Sequence, residues 1–273
     1  SNLVKIDKNN KFRDFFYKRL IFPISNEQNK IVGFGGRVLD NSNPKYINSP
    51  ESYFFQKRNI LYNLNNAKQT IRLKKNILIC EGYMDVISLY EKNIKTAVAP
   101  LGTALTENQL LLSWKYVNKP TVMFDGDNSG IRAAYKSAIM ALPYLSPNKF
   151  LQFINLPYNL DPDSFVNKYS LSKFVELLKK PVSIIDFIFE QSSSSVNLKN
   201  TDEKVSFDKY IDDIVETIKD KKIKFFYKNE FKNLFFKKLK SFSNKKNSIS
   251  IKKNKTSLKE KQIFSFLTAY LNH

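Results

Sequence analysis

The chain has almost no residues with which to build a thiol or imidazole site. Its 273 residues include one cysteine, Cys80, and one histidine, His273. Zinc sites made of cysteine and histidine therefore cannot be assembled from this chain, and neither can nucleophiles that are activated by histidine. Cys80 follows three apolar residues, which predicts a small core residue in a strand. The chemistry must rely on carboxylates, lysines, arginines and metal ions.

Long apolar runs are also missing. No segment approaches the roughly 18 to 20 apolar residues of a membrane span, and no charged and then apolar leader opens the sequence. Together with the single thiol, this pattern predicts a soluble cytoplasmic protein with no membrane partner. The start at Ser1 and a helical pattern that runs to the end predict a piece of a longer protein.

Positive charge is in excess, and it is distributed unevenly. The formal net charge is +20, and 42% of the residues are hydrophobic, which is enough for a folded core. Residues 1–75 carry 15 basic and 5 acidic side chains, whereas residues 76–168 carry 8 of each. Residues 221–273 again carry 15 basic but 2 acidic side chains. Two basic flanks around a neutral centre favour a nucleic-acid partner.

Short apolar runs alternate with amphipathic patterns in the central region. The predicted strands are residues 77–80, 96–99, 121–124 and 150–156. The predicted helices between them are residues 83–91, 106–117 and 129–142. This alternation predicts right-handed crossovers and a largely parallel sheet.

The flanking regions have different patterns. Residues 20–24 and 31–39 predict a hairpin, whose glycines we expect to serve a β-bulge or tight strand packing, and residues 60–71 predict a helix. Beyond Pro157 we expect no further strands, and the apolar spacing from Phe207 to Ile218 predicts a helix. The predicted parts are a basic subdomain (1–75), an α/β domain (76–168), a helical subdomain (169–240), a basic linker (241–256) and the start of another domain (257–273).

Acidic side chains follow the predicted strands at the point where each strand ends. They are Glu81, Asp85, Asp125, Asp127, Asp161 and Asp163. The carboxyl ends of neighbouring parallel strands lie along one crevice, where open α/β sheets bind ligands. Carboxylate oxygens are ligands for a hard cation such as Mg²⁺, which keeps positions open for phosphate oxygens. In such a basic chain, the pattern favours metal-assisted phosphoryl transfer on nucleic acid.

Four central motifs resemble, in order and spacing, the motifs of the Toprim fold in bacterial DNA primases. They are Glu81-Gly-Tyr-Met-Asp85, Leu101-Gly-Thr-Ala-Leu-Thr106, Asp125-Gly-Asp-Asn-Ser-Gly130 and Asp161-Pro-Asp163. Four upstream segments resemble the basic subdomain that precedes this fold in primases. They are Phe22-Pro-Ile24, Gly33-Phe-Gly-Gly-Arg-Val38, Pro44-Lys-Tyr-Ile-Asn-Ser-Pro-Glu51 and Phe55-Gln-Lys57. Toprim domains also occur in topoisomerases, recombination mediators and nucleases, but the lysine-bearing segments around Lys45 and Lys57 are similar to primases only.

The resemblance implies the architecture and the activity. The implied fold is α/β plus helical, with a parallel-sheet Toprim domain between a basic mixed α+β subdomain and a C-terminal helical subdomain. The implied activity is DNA-directed RNA polymerase, which makes short RNA primers from ribonucleoside triphosphates on single-stranded DNA with Mg²⁺ or Mn²⁺. A replicative helicase is the implied partner, bound through the domain that begins near Ser257.

The resemblance also implies roles for individual residues. The implied metal ligands are Glu81, Asp125 and Asp127, and the carboxylates implied to support the acidic site are Asp85, Asp161 and Asp163. The implied contacts to template, primer or incoming triphosphate are Arg37, Lys45 and Lys57.

Two other functions stay open at the level of sequence. A different Toprim enzyme, a nuclease or topoisomerase, would cut DNA in the presence of metal and the absence of nucleotides. A non-catalytic module would hold nucleic acid with its basic flanks, and the acidic cluster would then be a structural cation site. Such a module would show salt-sensitive binding that persists when the carboxylates are replaced, and no turnover.

Overall fold

The computed structural model describes residues 3–6, 8–102 and 104–241. The strands are β1 (Val4–Ile6), β2 (Phe12–Asp14), β3 (Arg19–Ser25), β4 (Ile31–Val38), β5 (Tyr46–Asn48), β6 (Leu61–Tyr62), β7 (Leu78–Ile79), β8 (Ala97–Pro100), β9 (Thr121–Val122), β10 (Gln152–Phe153) and β11 (Val182–Ser183). The helices are α1 (Leu64–Lys74), α2 (Tyr83–Glu91), α3 (Glu107–Trp114), α4 (Asn128–Ala141), α5 (Pro162–Tyr169), α6 (Leu171–Leu178), α7 (Ile184–Ser193), α8 (Thr201–Glu216) and α9 (residues 221–241). The predicted domain start at 257–273 and residues 242–256 of the predicted linker lie outside the described residues.

The central sheet has six strands in the order β11-β10-β9-β7-β8-β6. Strands β10, β9, β7 and β8 are parallel, as predicted, and the two edge strands are antiparallel. The chain runs from β7 through α2 to β8 on one side, and then through α3 to β9 on the other side of β7. The strand order therefore reverses between β7 and β9, and open sheets form a crevice at such a point.

Both edge strands contradict the sequence predictions. Strand β11 lies beyond Pro157, where no further strand was expected, and β6 lies at the start of the segment predicted as a helix from residue 60. Each is two residues long and is defined by its partner, because β6 pairs with β8 and β11 pairs with β10. Two residues carry too little local periodicity to separate a strand from the start of a helix.

Both faces of the central sheet are covered. Side chains alternate along a strand, so Ile77 and Ile79 join a core with α1, α3, α4, α7 and α8, while Leu78 and Cys80 join a core with α2, α5 and α6. Cys80 is fully buried, which confirms its predicted place in the core, and burial raises the pKa of its thiol well above the ordinary value. This two-sided burial explains why the strands are continuous apolar runs.

The basic subdomain is built on the antiparallel sheet β3-β4-β5, which confirms the predicted hairpin. It packs against α2 through Tyr83, whose ring stacks on Phe22 with centroids 5.3 Å apart. A Cβ atom at Gly35 would lie 2.8 Å from the Tyr83 ring. The glycine-rich strand therefore serves close packing, as predicted.

The helical region follows the predicted apolar stripe. Phe207, Ile211, Ile214 and Val215 are buried on α8, whereas Tyr210 is 40% exposed. The buried four belong to the same core as one face of the central sheet, so α8 is anchored to the α/β domain. None of the helices in the described part of the chain is both long enough and apolar enough to cross a bilayer.

Candidate active site

Glu81 and Asp125 lie together where the strand order reverses. Strands β7 and β9 are paired neighbours, with Ile79 opposite Val122, and the two acids follow the ends of these strands. The backbone N–H of Asp125 donates to Oε2 of Glu81 at 3.4 Å. Two acids that are 44 residues apart in sequence are thus adjacent at the carboxyl edge of the sheet.

Helix N-termini orient three further aspartates around this pair. Oδ1 of Asp127 caps α4 by accepting the N–H of Gly130 at 2.7 Å, and Oδ1 of Asp161 caps α5 through a 2.6 Å bond. Oδ2 of Asp85, in the first turn of α2, accepts the N–H of Gly82 at 2.9 Å. A helix N-terminus stabilises negative charge, and each bond uses one carboxylate oxygen. These bonds hold one oxygen of each carboxylate in place.

The loop that carries Asp161 is bonded to the segment between Asp125 and Asp127. Gly126 donates its N–H to the carbonyl of Leu160 at 2.8 Å and accepts from the N–H of Asn159 at 3.1 Å. A Cβ atom at Gly126 would lie 2.2 Å from the carbonyl oxygen of Pro157. No side chain fits in that space, so glycine is required for the two acidic loops to touch.

Gly126→Ala is expected to lower the free energy of unfolding by roughly 1–3 kcal/mol, because backbone must move to admit the methyl group. Urea denaturation measures the change. The matched control is Gly102→Ala, since an added Cβ there meets nothing within 4 Å. Equal stability of the two variants would contradict the tight contact between the loops.

The acidic cluster is electrostatically strained when no cation is bound. Burial and then the charges of Asp85, Glu81, Asp161 and Asp127 raise the pKa of Asp125 to about 8. Burial also raises the pKa of Asp85 to about 7, against the opposing effect of its hydrogen bond from the backbone. The pKa of Glu81 is raised as well, chiefly by burial. Asp85 and Asp125 therefore need a positive charge nearby to remain ionised together at neutral pH.

One carboxylate oxygen of the acidic cluster is in a position to bind a cation. Oδ1 of Asp125 is buried and has no hydrogen-bond partner. Within the described residues, no group of three or more Asp, Glu, His or Cys side chains is arranged to hold a metal ion. Mg²⁺, however, is commonly held by one or two carboxylates and completed by water and substrate phosphates. The adjacent carboxylates of Glu81 and Asp125 fit that kind of site.

Asp163 is engaged at the contact between α2 and α5. Its Oδ1 accepts the hydroxyl of Ser88 and the amide of Asn167 at 3.2 Å, and it lies 3.9 Å from Nζ of Lys92. The contacts with Ser88 and Lys92 hold α5 against α2, whereas the bond from Asn167 lies within α5. Asp163 therefore has three polar neighbours of its own, in contrast to Oδ1 of Asp125.

A basic pair of strands lies beside the acids. Arg37 on β4 is opposite Tyr46 on β5, and its guanidinium carbon lies 5.7 Å from the Tyr46 ring. Nζ of Lys45 lies 5.9 Å from the same ring. The pKa of Tyr46 is raised by burial, lowered by Arg37 and raised by Asp85 and Asp125. Tyr46 is thus close enough for its pKa to be affected by both Arg37 and the acids.

Lys57 lies after strand β5, outside the three-stranded basic sheet. It opens the short 3-10 turn Lys57–Asn59, and its backbone N–H donates to the carboxylate of Glu51 at 3.2 Å. In residues 3–6, 8–102 and 104–241, no ion pair joins Lys45 or Lys57 to an acid. Both ammonium groups are therefore available to a bound polyanion.

Sequence reasoning missed the residues that join the basic sheet to the α/β domain. The hydroxyl of Tyr83 donates to Oδ1 of Asn48, whose Nδ2 donates to the carbonyl of Leu101 at 3.2 Å. Tyr83 and Asn48 are 35 residues apart. No local pattern predicts such a contact, although both residues lie inside the motifs quoted above.

Comparisons with known proteins identify the family of the chain. Residues 1–68 match the family model "DNA primase catalytic core, N-terminal domain", and residues 75–148 match the model of the Toprim domain. The DNA primase of Rickettsia prowazekii (strain Madrid E) is 39% identical over 232 residues, which are 85% of this chain and 39% of that protein. The E. coli primase catalytic core aligns with a TM-score of 0.77 at 32% identity, over 85% of this chain and 74% of that one. The chain belongs to the DNA primase family.

A second solved structure is similar to the same extent. The structure of a DnaG primase catalytic domain bound to ssDNA gives a TM-score of 0.76 at 32% identity, over 85% of this chain and 74% of that one. The primase relationship confirms the predicted fold class, a Toprim sheet flanked by a basic mixed subdomain and a helical one. The chain spans 39% of the length of the Rickettsia prowazekii primase.

Proposed function

We propose that the chain is the nucleotide-polymerising core of a bacterial primase. It joins ribonucleoside triphosphates into short RNA on a single-stranded DNA template by metal-dependent nucleotidyl transfer. The observation that carries this proposal is the buried, unpartnered Oδ1 of Asp125 beside Glu81, at the point where the strand order reverses. Membership of the primase family, and the ssDNA bound to a solved relative, support the substrates.

The acids are proposed to hold the metal and to keep one another in place. Glu81, Asp125 and Asp127 bind Mg²⁺ or Mn²⁺, while Asp85 and Asp161 complete the negative site. When bound, the metal lowers the pKa of the primer 3′-hydroxyl and neutralises charge on the α-phosphate and the pyrophosphate. Asp163 supports the site from the contact between α2 and α5.

The basic residues are proposed to hold the chains that react. Arg37 and Lys45, which flank Tyr46 beside the acids, bind phosphate groups of the triphosphate or the primer. Lys57 binds the backbone of the template. Positioning of this kind can replace a protein nucleophile, because holding two reactants in line removes most of the entropic barrier to their reaction.

The core acts in the bacterial cytoplasm during replication, and residues 257–273 begin the part that binds the replicative helicase. The boundaries near residues 75, 168, 240 and 256 separate its predicted parts.

Glu81→Gln is expected to lower nucleotide incorporation by about 100-fold or more, because it removes a metal ligand whose contribution amounts to several kcal/mol. The glutamine keeps the size of the side chain and can still accept from the N–H of Asp125. The assay supplies single-stranded DNA, labelled ribonucleoside triphosphates and Mg²⁺. The matched control is Glu91→Gln, at the exposed last residue of α2.

Three results would contradict the proposal. Equal incorporation by wild type and Glu81→Gln would exclude Glu81 from the metal site. Cutting of single-stranded or supercoiled DNA with metal and without nucleotides would favour the cleaving Toprim enzymes. Salt-sensitive binding that is unchanged in Glu81→Gln, with no incorporation by wild type, would favour the non-catalytic module.

A further inference from the structure

Two aromatic rings stand exposed at the tip of a turn in the basic subdomain. Tyr53 is 89% exposed and Phe54 is 77% exposed. The two rings contact each other edge to face, with centroids 5.2 Å apart and planes at 89°. An exposed pair of large aromatic rings is unfavourable in water, and such patches mark binding surfaces.

The turn beneath the rings is held on both sides. The N–H of Ser52 donates to the carbonyl of Phe55 at 2.9 Å, and the N–H of Phe55 donates back to the carbonyl of Ser52 at 3.2 Å and to its hydroxyl at 3.1 Å. Phe55 is 1% exposed and belongs to the core of the basic subdomain. The carboxylate of Glu51, just before the turn, accepts the N–H of Lys57, just after it. Exposure of Tyr53 and Phe54 is therefore imposed by an anchored backbone.

The surroundings of the turn are basic. It lies within residues 1–75, which carry 15 basic and 5 acidic side chains, and Lys57 and Arg58 follow it directly. Glu51, the acid beside the turn, is engaged by the N–H of Lys57. Tyr46, beside the acidic crevice, precedes Tyr53 by seven residues, which span at most about 25 Å of extended chain. The turn therefore lies within a few nucleotides of the crevice.

We infer that Tyr53 and Phe54 stack against the bases of single-stranded DNA on its way to the crevice. Stacking platforms next to a basic groove are the general means of binding single strands without reading sequence, because every base presents a flat face. The edge-to-face pair offers one ring face to a base, while the other ring supports it. Charge favours this occupant over a protein groove, because Lys57 and Arg58 complement phosphates. The identity of the strand as the template rests on the proposed function.

The test compares wild type with the double variant Tyr53→Ala, Phe54→Ala by fluorescence anisotropy of a labelled single-stranded DNA. We expect about 10-fold to 100-fold weaker binding by the variant, since stacking of one base contributes about 1–3 kcal/mol. The slope of log K against log salt should stay unchanged, because stacking releases no counterions. Lys57→Ala should instead make that slope shallower, by the amount expected for the loss of about one phosphate contact. The double exchange Tyr53→Phe, Phe54→Tyr keeps both rings and should keep the affinity.

An abasic oligonucleotide of the same length separates stacking from charge and from folding. It presents phosphates without bases, so wild type and the alanine variant should bind it equally, and their melting temperatures should agree. Unchanged affinity of the alanine variant for ordinary DNA would overturn the inference and point to a protein partner for the rings. An equal loss on abasic DNA would also overturn it.

The binding assay contains no nucleotides, so its result is independent of primer synthesis. A wild-type chain that incorporates no nucleotide contradicts the proposed function. Unchanged binding by the alanine variant contradicts the stacking inference.

Discussion

Asp125→Asn is expected to slow nucleotide incorporation strongly and, in the same protein without metal, to raise the melting temperature. The carboxylate has one buried oxygen without a partner, and burial together with neighbouring acids raises its pKa to about 8. The amide keeps the shape and removes both the repulsion and the metal ligand. We expect a rate loss of about 10³-fold, equivalent to about 4 kcal/mol. Each 1 kcal/mol of relieved desolvation and repulsion raises the melting temperature by about 2–4 °C.

The gain in stability should depend on pH in a defined direction. A carboxyl whose pKa is raised by folding binds more protons in the folded chain, so it lowers stability as pH rises. For Asp125 the penalty is absent below the ordinary pKa of 3.8 and complete above about 8. The gain from Asp125→Asn should therefore be largest at about pH 9 and absent at about pH 4. Calorimetry in the presence of a chelator measures it across this range.

The matched control is Asp212→Asn, which removes the same charge from α8. Asp212 lies 3.2 Å from Nζ of Lys228 on α9 and is remote in sequence from the acidic motifs. Its replacement should leave incorporation unchanged and should not raise the melting temperature. A lower melting temperature of Asp125→Asn at all pH values would show that the acids are not strained. Incorporation equal to wild type would remove Asp125 from the metal site.

Much of the α/β domain could be predicted because its signals are local. Helix α2 begins and ends at the predicted residues, Tyr83 and Glu91, and α3 starts after Thr106, whose side chain accepts the N–H of Gln109 in a capping box. Strands buried on both faces appear in the sequence as apolar runs. The edge strands β6 and β11 could not be predicted, because two residues become a strand through a partner that lies far away in sequence.

The candidate site, too, could be predicted from the sequence only in part. The adjacency of Glu81 and Asp125 follows from the general rule that ligands bind where strand order reverses, once the two strands are assigned. The pairing of Asn48 with Tyr83, and the place of Tyr46 beside Arg37 and the acids, depend on how the basic sheet docks on α2. That docking is set by packing of aromatic rings against glycine, which the alternation of apolar residues does not encode.

The docking places a second testable group beside the acids. Nε of Arg37 is buried and has no hydrogen-bond partner among the described residues, and its guanidinium lies over the ring of Tyr46. A buried donor without a partner is unfavourable in the protein alone, and a phosphate oxygen would satisfy it. We therefore expect Arg37 to bind a phosphate that is brought to the metal site.

Arg37→Ala is expected to lower kcat/KM for nucleotide incorporation by about 10-fold to 150-fold, since a charged hydrogen bond contributes about 1.5–3 kcal/mol. Arg37→Lys should restore little of this loss, because a lysine lacks Nε and the planar pair of donors. Steady-state kinetics with varied ribonucleoside triphosphate measures both variants. Stability should change little, because the alanine also removes the unsatisfied Nε.

The control for Arg37→Ala is Lys74→Ala, which removes one positive charge at the exposed end of α1. It should change the salt dependence of DNA binding by no more than one contact and should leave kcat/KM for nucleotides near the wild-type value. Equal kinetics for the two alanine variants would mean that Arg37 contributes general charge alone. Full activity of Arg37→Lys would mean that a point charge is sufficient and that the buried Nε makes no bond to the substrate.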